Sequence, residues 1–209
     1  MASKMSALAS QICEEIQSVF SPSPSPSTAT ATATASALEV MVEEIAAAAA
    51  RKGGVFVHGV GREGLMLKAL CMRLAHLGLS VHCVGDMTTP PISPPDLLVA
   101  SAGPGGFPTV DAICGVARSN GARVLLLTAQ PESGSAVRYA TAIAFIPAQT
   151  MADDEDEDQQ GSGGRRSLLP MGSLYEGAMF VLFEMVVFRL AQILGQTPDV
   201  VRSRHTNLE

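Results

Sequence analysis

The segment Val55-Phe-Val-His-Gly-Val-Gly-Arg-Glu-Gly64 constrains this chain more than any other. Val55 to His58 is a short apolar run, β-branched and aromatic, that follows Gly53-Gly54 and reads as a buried parallel strand. Gly59, Gly61 and Gly64 follow with G-x-G-x-x-G spacing. Leu65 to Leu77 then carries apolar residues at 65, 66, 69, 70, 74 and 77, a helical face. Strand, glycine turn and helix together make an anion site: glycines let the backbone approach a ligand, and a helix N-terminus supplies unpaired N–H groups. A dinucleotide is one such ligand, but it calls for an acid at the end of the second strand, about 20 residues on. Asp86 lies past the second strand, Val81 to Val84, at the head of a Thr/Pro loop, and fits poorly. A phosphate on a sugar satisfies the same backbone geometry.

The unit repeats. A third strand is expected over Leu97 to Ser101, ending in Ala102-Gly-Pro-Gly-Gly106, with a helix from about Pro108 to Ser119 closed by Gly121. The fourth strand is Arg123 to Thr128, and a short helix, Ser135 to Tyr139, precedes a fifth strand, Ala142 to Ile146. Strands separated by helical stretches predict an α/β domain with a parallel sheet covered on both faces. Leu174 to Leu194 reads as a long, strongly apolar helix stopped by Gly195, and Pro198 to about Arg204 as a last short one. Before the first strand, Met5 to Phe20 has a helical face, and the alternating Ser/Pro run from Ser21 to Pro26 ends it. Ser36 and Glu39 have capping-box spacing for a second helix that runs to about Arg51. These two helices are expected to form an arm packed on the domain or on a partner. Residues 1–36 therefore read as an N-terminal helix and linker. Residues 37–209 read as the domain, with a mobile acidic and Gly/Ser-rich insertion over 150–167 that cannot bury a core.

With 209 residues, 47% of them hydrophobic, the chain suits one domain with a full core. A net charge of −6 and no Lys/Arg cluster argue against nucleic acid. Met179 to Leu190 is interrupted by Glu184 and Arg189, so no membrane span is expected. Cys13, Cys71, Cys83 and Cys114 lack C-x-x-C spacing and read as reduced thiols of a cytoplasmic protein, an organelle remaining open.

In open α/β sheets ligands sit beyond the C-terminal strand ends. The loops there are Gly59 to Gly64, Asp86 to Pro91, Ala102 to Phe107 and Thr128 to Glu132. Glu176, in the first turn of the long helix, is either a dipole-compensating acid or a general base. His205, in a polar tail with Arg202 and Arg204, is either solvated or functional. His58 and His82 fall in strands and read as core, His76 lies near a helix end, and Tyr175 and Thr109 read as packing or capping residues.

Several motifs occur in a fixed order: Val57-His-Gly-Val-Gly-Arg-Glu-Gly64, Met72-Arg-Leu-Ala-His-Leu-Gly78, Val84-Gly-Asp-Met-Thr-Thr-Pro90, Leu169-Pro-Met-Gly-Ser-Leu-Tyr-Glu176 and Arg204-His-Thr-Asn-Leu208. In this order they resemble the sugar isomerase (SIS) domain family, and more narrowly the 3-hexulose-6-phosphate isomerases. The resemblance runs from about Ala37 to the C-terminus. It implies a three-layer α/β/α fold with a five-stranded parallel sheet, assembled as a homodimer or homotetramer. It implies isomerisation of a ketohexose phosphate through a cis-enediolate, with no metal and no nucleotide cofactor. Glu176 would be the base, and His205 would assist from a neighbouring subunit. The substrate, a small-molecule sugar phosphate, would meet Gly59, Gly61, Arg62, Glu63, Thr88, Thr89, Ser101, Gly103, Gly105 and Gly106.

The sequence departs from the family pattern at two of these loops. Glu63 stands where family members usually carry a serine, and Ala102-Gly-Pro-Gly-Gly-Phe107 replaces a hydroxyl-rich segment of equal length. A carboxylate at about 4 Å from a phosphate opposes it by roughly 4 kcal/mol per unit charge pair at an effective dielectric of about 20. Two readings follow: a phosphosugar isomerase of the hexulose-phosphate type, its substrate altered, and a non-catalytic SIS module that binds a sugar phosphate or related carbohydrate derivative as sensor or scaffold.

Overall fold

The computed structural model describes residues 2–21, 35–153 and 167–208. The Ser/Pro/Thr/Ala linker and most of the acidic insertion lie outside these residues.

Five parallel strands make one sheet in the order β2-β1-β3-β4-β5. They are β1 (Val55–His58), β2 (Val81–Cys83), β3 (Leu97–Ser101), β4 (Arg123–Thr128) and β5 (Ala142–Phe145). Side-chain alternation along the strands sorts the core into two layers. Val55, Val57, Leu97, Val99, Leu125 and Leu127 face one layer. Phe56, Leu98, Ala100, Val124 and Leu126 face the other. The first layer is covered by α2 (Ala37–Ala50), α3 (Gly61–His76) and α5 (Ser173–Ile193). The second is covered by α4 (Pro108–Ser119), the 3-10 turn Ser135–Tyr139 and apolar residues of the 84–92 loop. Strands buried on both faces explain why β3 and β4 read as continuous apolar runs rather than alternating ones.

The expected capping box at α2 is present: Ser36 Oγ accepts from the Glu39 N–H, and the Glu39 carboxylate accepts from the Ser36 N–H. Met41, Ile45 and Ala48 of α2 are fully buried, so this helix is part of the sheet's cover rather than an arm. The N-terminal helix α1 (Ala2–Ser18) does dock as an arm, on α5. Its Glu15 carboxylate accepts from the Leu168 N–H and the Ser167 hydroxyl, and Ile16 lies against Gly177. A sixth helix, α6 (Pro198–Ser203), follows α5, and Arg204 ties it back to the His76 carbonyl at the end of α3. No described helix is long and apolar enough to cross a membrane.

Two turns differ from the sequence expectation. Helix α3 starts at Gly61, inside the glycine turn, four residues before the apolar face begins at Leu65. Hydrophobic periodicity cannot register that first turn, because it is held by backbone geometry: Gly61 adopts φ +55°, and a Cβ on Gly64 would sit 2.4 Å from the Gly59 carbonyl oxygen. The second turn is the Asp86–Pro90 loop. Thr89 Oγ1 donates to the Cys83 carbonyl, so that hydroxyl closes the loop on its own strand.

Candidate active site

In the order 2-1-3-4-5 the direction in which successive strands are added to the sheet reverses between β1 and β3, and this switch point opens a crevice at the strands' C-terminal ends. A cleft of about 390 Å³ lies there. Gly61, Arg62 and Glu63 come from the start of α3, Pro104 and Phe107 from the loop before α4, and Gly172, Tyr175 and Glu176 from the start of α5. Three helix N-termini therefore converge on one space, each contributing orphan N–H groups and a positive dipole end.

The segment before α5 is shaped for this site. Met171 and Gly172 both adopt left-handed backbone, φ +55° and +79°. For methionine that conformation is uncommon and costs on the order of 1–3 kcal/mol. It turns the Met171 carbonyl toward Arg62, whose guanidinium donates to it and to Ser173 Oγ at 3.0 Å. The same guanidinium pairs with Glu176, Nε to Oε1 at 3.0 Å. Ser173-Leu-Tyr-Glu176 has the spacing of a capping box, yet Gly172 is the N-cap and makes no side-chain cap. Ser173 serves Arg62 instead, and the Glu176 carboxylate projects into the cleft rather than back onto the backbone. Its side chain is 16% exposed. Burial raises the Glu176 pKa above the ordinary carboxylate value; Arg62 opposes that shift and the negative charge of Glu63 adds to it.

Glu63 does not hang free in the cleft. It is 8% exposed, and its carboxylate is turned onto the loop after β3. Oε2 accepts from Ser101 Oγ at 2.5 Å and from the Gly103 N–H at 3.0 Å. Burial raises its pKa, while the two hydrogen bonds pull it back down. Tyr175, fully buried, places its hydroxyl 3.4 Å from Ser101 Oγ, and burial drives its own pKa well up.

Of the residues expected to meet a ligand, Gly61, Arg62, Glu63 and Glu176 line the cleft, and Gly59 shapes the turn beneath it. Ser101 and Gly103 lie just behind, occupied by Glu63. Gly105 and Gly106 do not line the cleft; a Cβ on Gly105 would meet Gly134, and one on Gly106 would meet Ser135 Oγ. Thr88 is exposed, and neither it nor Thr89 lines the cleft. His205 is not brought to Glu176 within one chain. Its ring lies 5.3 Å from that of His76, at the far end of α3 from Arg62. Fourteen residues of helix put the two ends about 21 Å apart. Tyr175, Ser173 and Met171 also shape the site, beyond the residues that sequence pattern marks. The only signal was the Leu-Pro-Met-Gly-Ser segment itself, whose left-handed turn explains their presence.

No family model matches the chain. The 3-hexulose-6-phosphate isomerase of Mycobacterium gastri is 38% identical over 168 residues, covering 80% of each chain. A solved Methanococcus jannaschii protein, for which a 3-hexulose-6-phosphate isomerase function was inferred, superposes with a TM-score of 0.73 at 22% identity, over 97% of this chain and 99% of that one. The Vibrio vulnificus NanR protein complexed with ManNAc-6P superposes with a TM-score of 0.65 at 16% identity, over 95% of this chain and 66% of that one. The chain belongs to the 3-hexulose-6-phosphate isomerase family of SIS-domain proteins.

Proposed function

We propose that this protein is a sugar-phosphate isomerase that interconverts ketohexose phosphates through a cis-enediolate. The observation that carries the reading is the Glu176 carboxylate. It sits at a helix N-terminus in a cleft of sugar size, with its pKa raised by burial toward the range a base needs near neutral pH. In that role Glu176 removes the proton from the carbon beside the substrate carbonyl and returns it to the neighbouring carbon. One C–H bond breaks and another forms, and the hydroxyl proton moves between the two oxygens. His205 of a second copy of the chain is the proposed carrier of that oxygen-bound proton, because its own chain holds it beside His76, at the far end of α3 from Arg62 and its partner Glu176. Exposed apolar residues support an assembly: Leu65 and Met72 of α3, Phe180 and Phe188 of α5, and Val200 of α6 are all large and open. The named relative and the ManNAc-6P complex of a similar fold support a phosphorylated sugar as the ligand.

The experiment is turnover of a hexulose 6-phosphate by the purified full chain, followed as appearance of the isomerised ketose. No turnover and no binding would remove the proposal. Arg62 supplies a second check. It lowers the Glu176 pKa, so Arg62→Ala raises that pKa further. The base is active when deprotonated. The acid limb of the kcat/KM profile is therefore expected to move to higher pH in Arg62→Ala, and a limb that stays put would exclude Glu176 as the titrating base.

A second reading, a ligand-binding module without chemistry, is favoured by one observation: Glu63 fills the donors of the β3 loop. Binding without turnover in the same assay would select it.

A further inference from the structure

The donors that Glu63 occupies are a hydroxyl and a main-chain N–H at the β1/β3 switch point, where a sheet of this order receives its ligand. Donors arranged to seat a buried carboxylate also suit another compact oxyanion. One seat does not hold two anions: at about 4 Å, like charges repel strongly in a partly desolvated site. Space is as limited as charge. A Cβ at Gly103 would already lie 3.0 Å from Glu63 Oε1 and 3.0 Å from the Tyr175 ring, so carboxylate and ring together fill the ground above this loop. The cleft has no spare cation to offset a further negative charge. Among its described lining residues Arg62 is the single cation, and it is paired with Glu176; with Glu63 counted, the lining sums to −1.

We infer that Glu63 is a specificity-determining residue. Its carboxylate is the resident anion of the Ser101/Gly103 seat, so the sugar phosphate of the proposed reaction meets this seat with a neutral hydroxyl rather than with its phosphate. A phosphate group gains this seat only by displacing the side chain. The inference rests on the cleft being the sugar site, and it names the end of the sugar that the site discriminates.

The test compares the full-length wild type with Glu63→Ser and Glu63→Gln, using inorganic phosphate, fructose 6-phosphate and fructose as titrants. Glu63→Ser empties the seat and removes the charge. It is expected to bind phosphate and fructose 6-phosphate at least tenfold more tightly than the wild type, with the fructose affinity changed less than threefold. Glu63→Gln keeps the volume and an acceptor for the Gly103 N–H, so it folds even where the serine variant does not. Its expected gain for the two phosphates is smaller and in the same direction. Equal phosphate affinities in all three proteins would overturn the inference. So would an equal gain for fructose, because that would report opened space rather than a removed charge. The two proposals fail separately. A gain for inorganic phosphate in a protein that never isomerises hexulose 6-phosphate keeps the seat and removes the catalytic reading. Wild-type turnover with no gain in either variant does the reverse.

Discussion

Glu176→Gln is expected to lower kcat for hexulose 6-phosphate isomerisation by about 10²–10⁴-fold, the usual contribution of a positioned general base, while the thermal midpoint stays nearly where it was. The two halves of that expectation come from different contacts. Chemistry is lost because an amide cannot take the carbon-bound proton. Stability is kept because Arg62, half exposed at 51%, retains Ser173 Oγ and the Met171 carbonyl when the carboxylate goes. An ion pair this open contributes roughly 0–1 kcal/mol. Steady-state kinetics beside a melting curve checks both. A variant within fivefold of wild-type kcat would show that another group moves the proton. A variant that unfolds would show that Glu176 matters to the turn and leave its chemistry to Glu176→Asp, which keeps the charge and shortens the reach.

The strands are legible in the sequence because their causes are local. Leu97–Ser101 and Arg123–Thr128 are apolar runs bounded by turn residues, and the structure returns both with the expected limits. Loops beyond the C-terminal strand ends follow from the β/α repeat, which marks Gly59 to Gly64 and Ala102 to Phe107, and the family resemblance adds Glu176; Gly61, Arg62, Glu63, Pro104, Phe107 and Glu176 do line one cleft. The direction of the Glu63 side chain was not legible. Position 63 lies in the first turn of α3, a place that serves a ligand or a neighbouring loop equally well. Which one it serves depends on β1 pairing with β3 rather than only with β2, a contact across about 40 residues. The expected repulsion of a phosphate by Glu63 therefore takes a different form: the carboxylate is held on Ser101 and Gly103 instead of projecting into open space. Thr88 and Thr89 missed the cleft for a similar reason. A Thr-Thr pair in a loop reads as hydroxyls for a ligand, but the Thr89 hydroxyl joins the Asp86 N–H on the Cys83 carbonyl and is spent closing the loop on its own strand. His205 lies beside His76 at the far end of α3 from Arg62, so its own chain does not bring it to Glu176, and its tail motif carries no signal of that placement.

The largest loss of stability is expected at Asp96, outside the cleft. Asp96→Ala should cost about 2–5 kcal/mol. The carboxylate is 7% exposed and accepts three hydrogen bonds at 2.7 Å: from the Gly54 N–H through Oδ1, and from the Ser93 N–H and Ser93 Oγ through Oδ2. Hydrogen bonds to a charged group contribute about 1.5–3 kcal/mol each, and a buried donor left without an acceptor costs about 1–3 kcal/mol. These terms overlap because the three donors share one side chain. The position also fixes the register of the sheet. Gly54 precedes β1 and Asp96 precedes β3, so the bond sets the start of the central pair at Val55 opposite Leu97. The close passage next to it leaves no alternative, since a Cβ on Gly53 would stand 2.0 Å from the Pro95 carbonyl oxygen. For a chain of this size the expected loss corresponds to a fall in Tm of very roughly 5–15 °C. Asp96→Asn, which keeps one carbonyl acceptor, should lose less than half as much. A urea titration of the three proteins is the measurement. A loss under about 1 kcal/mol for alanine would mean that water replaces the carboxylate and that the β1–β3 register is set by packing alone.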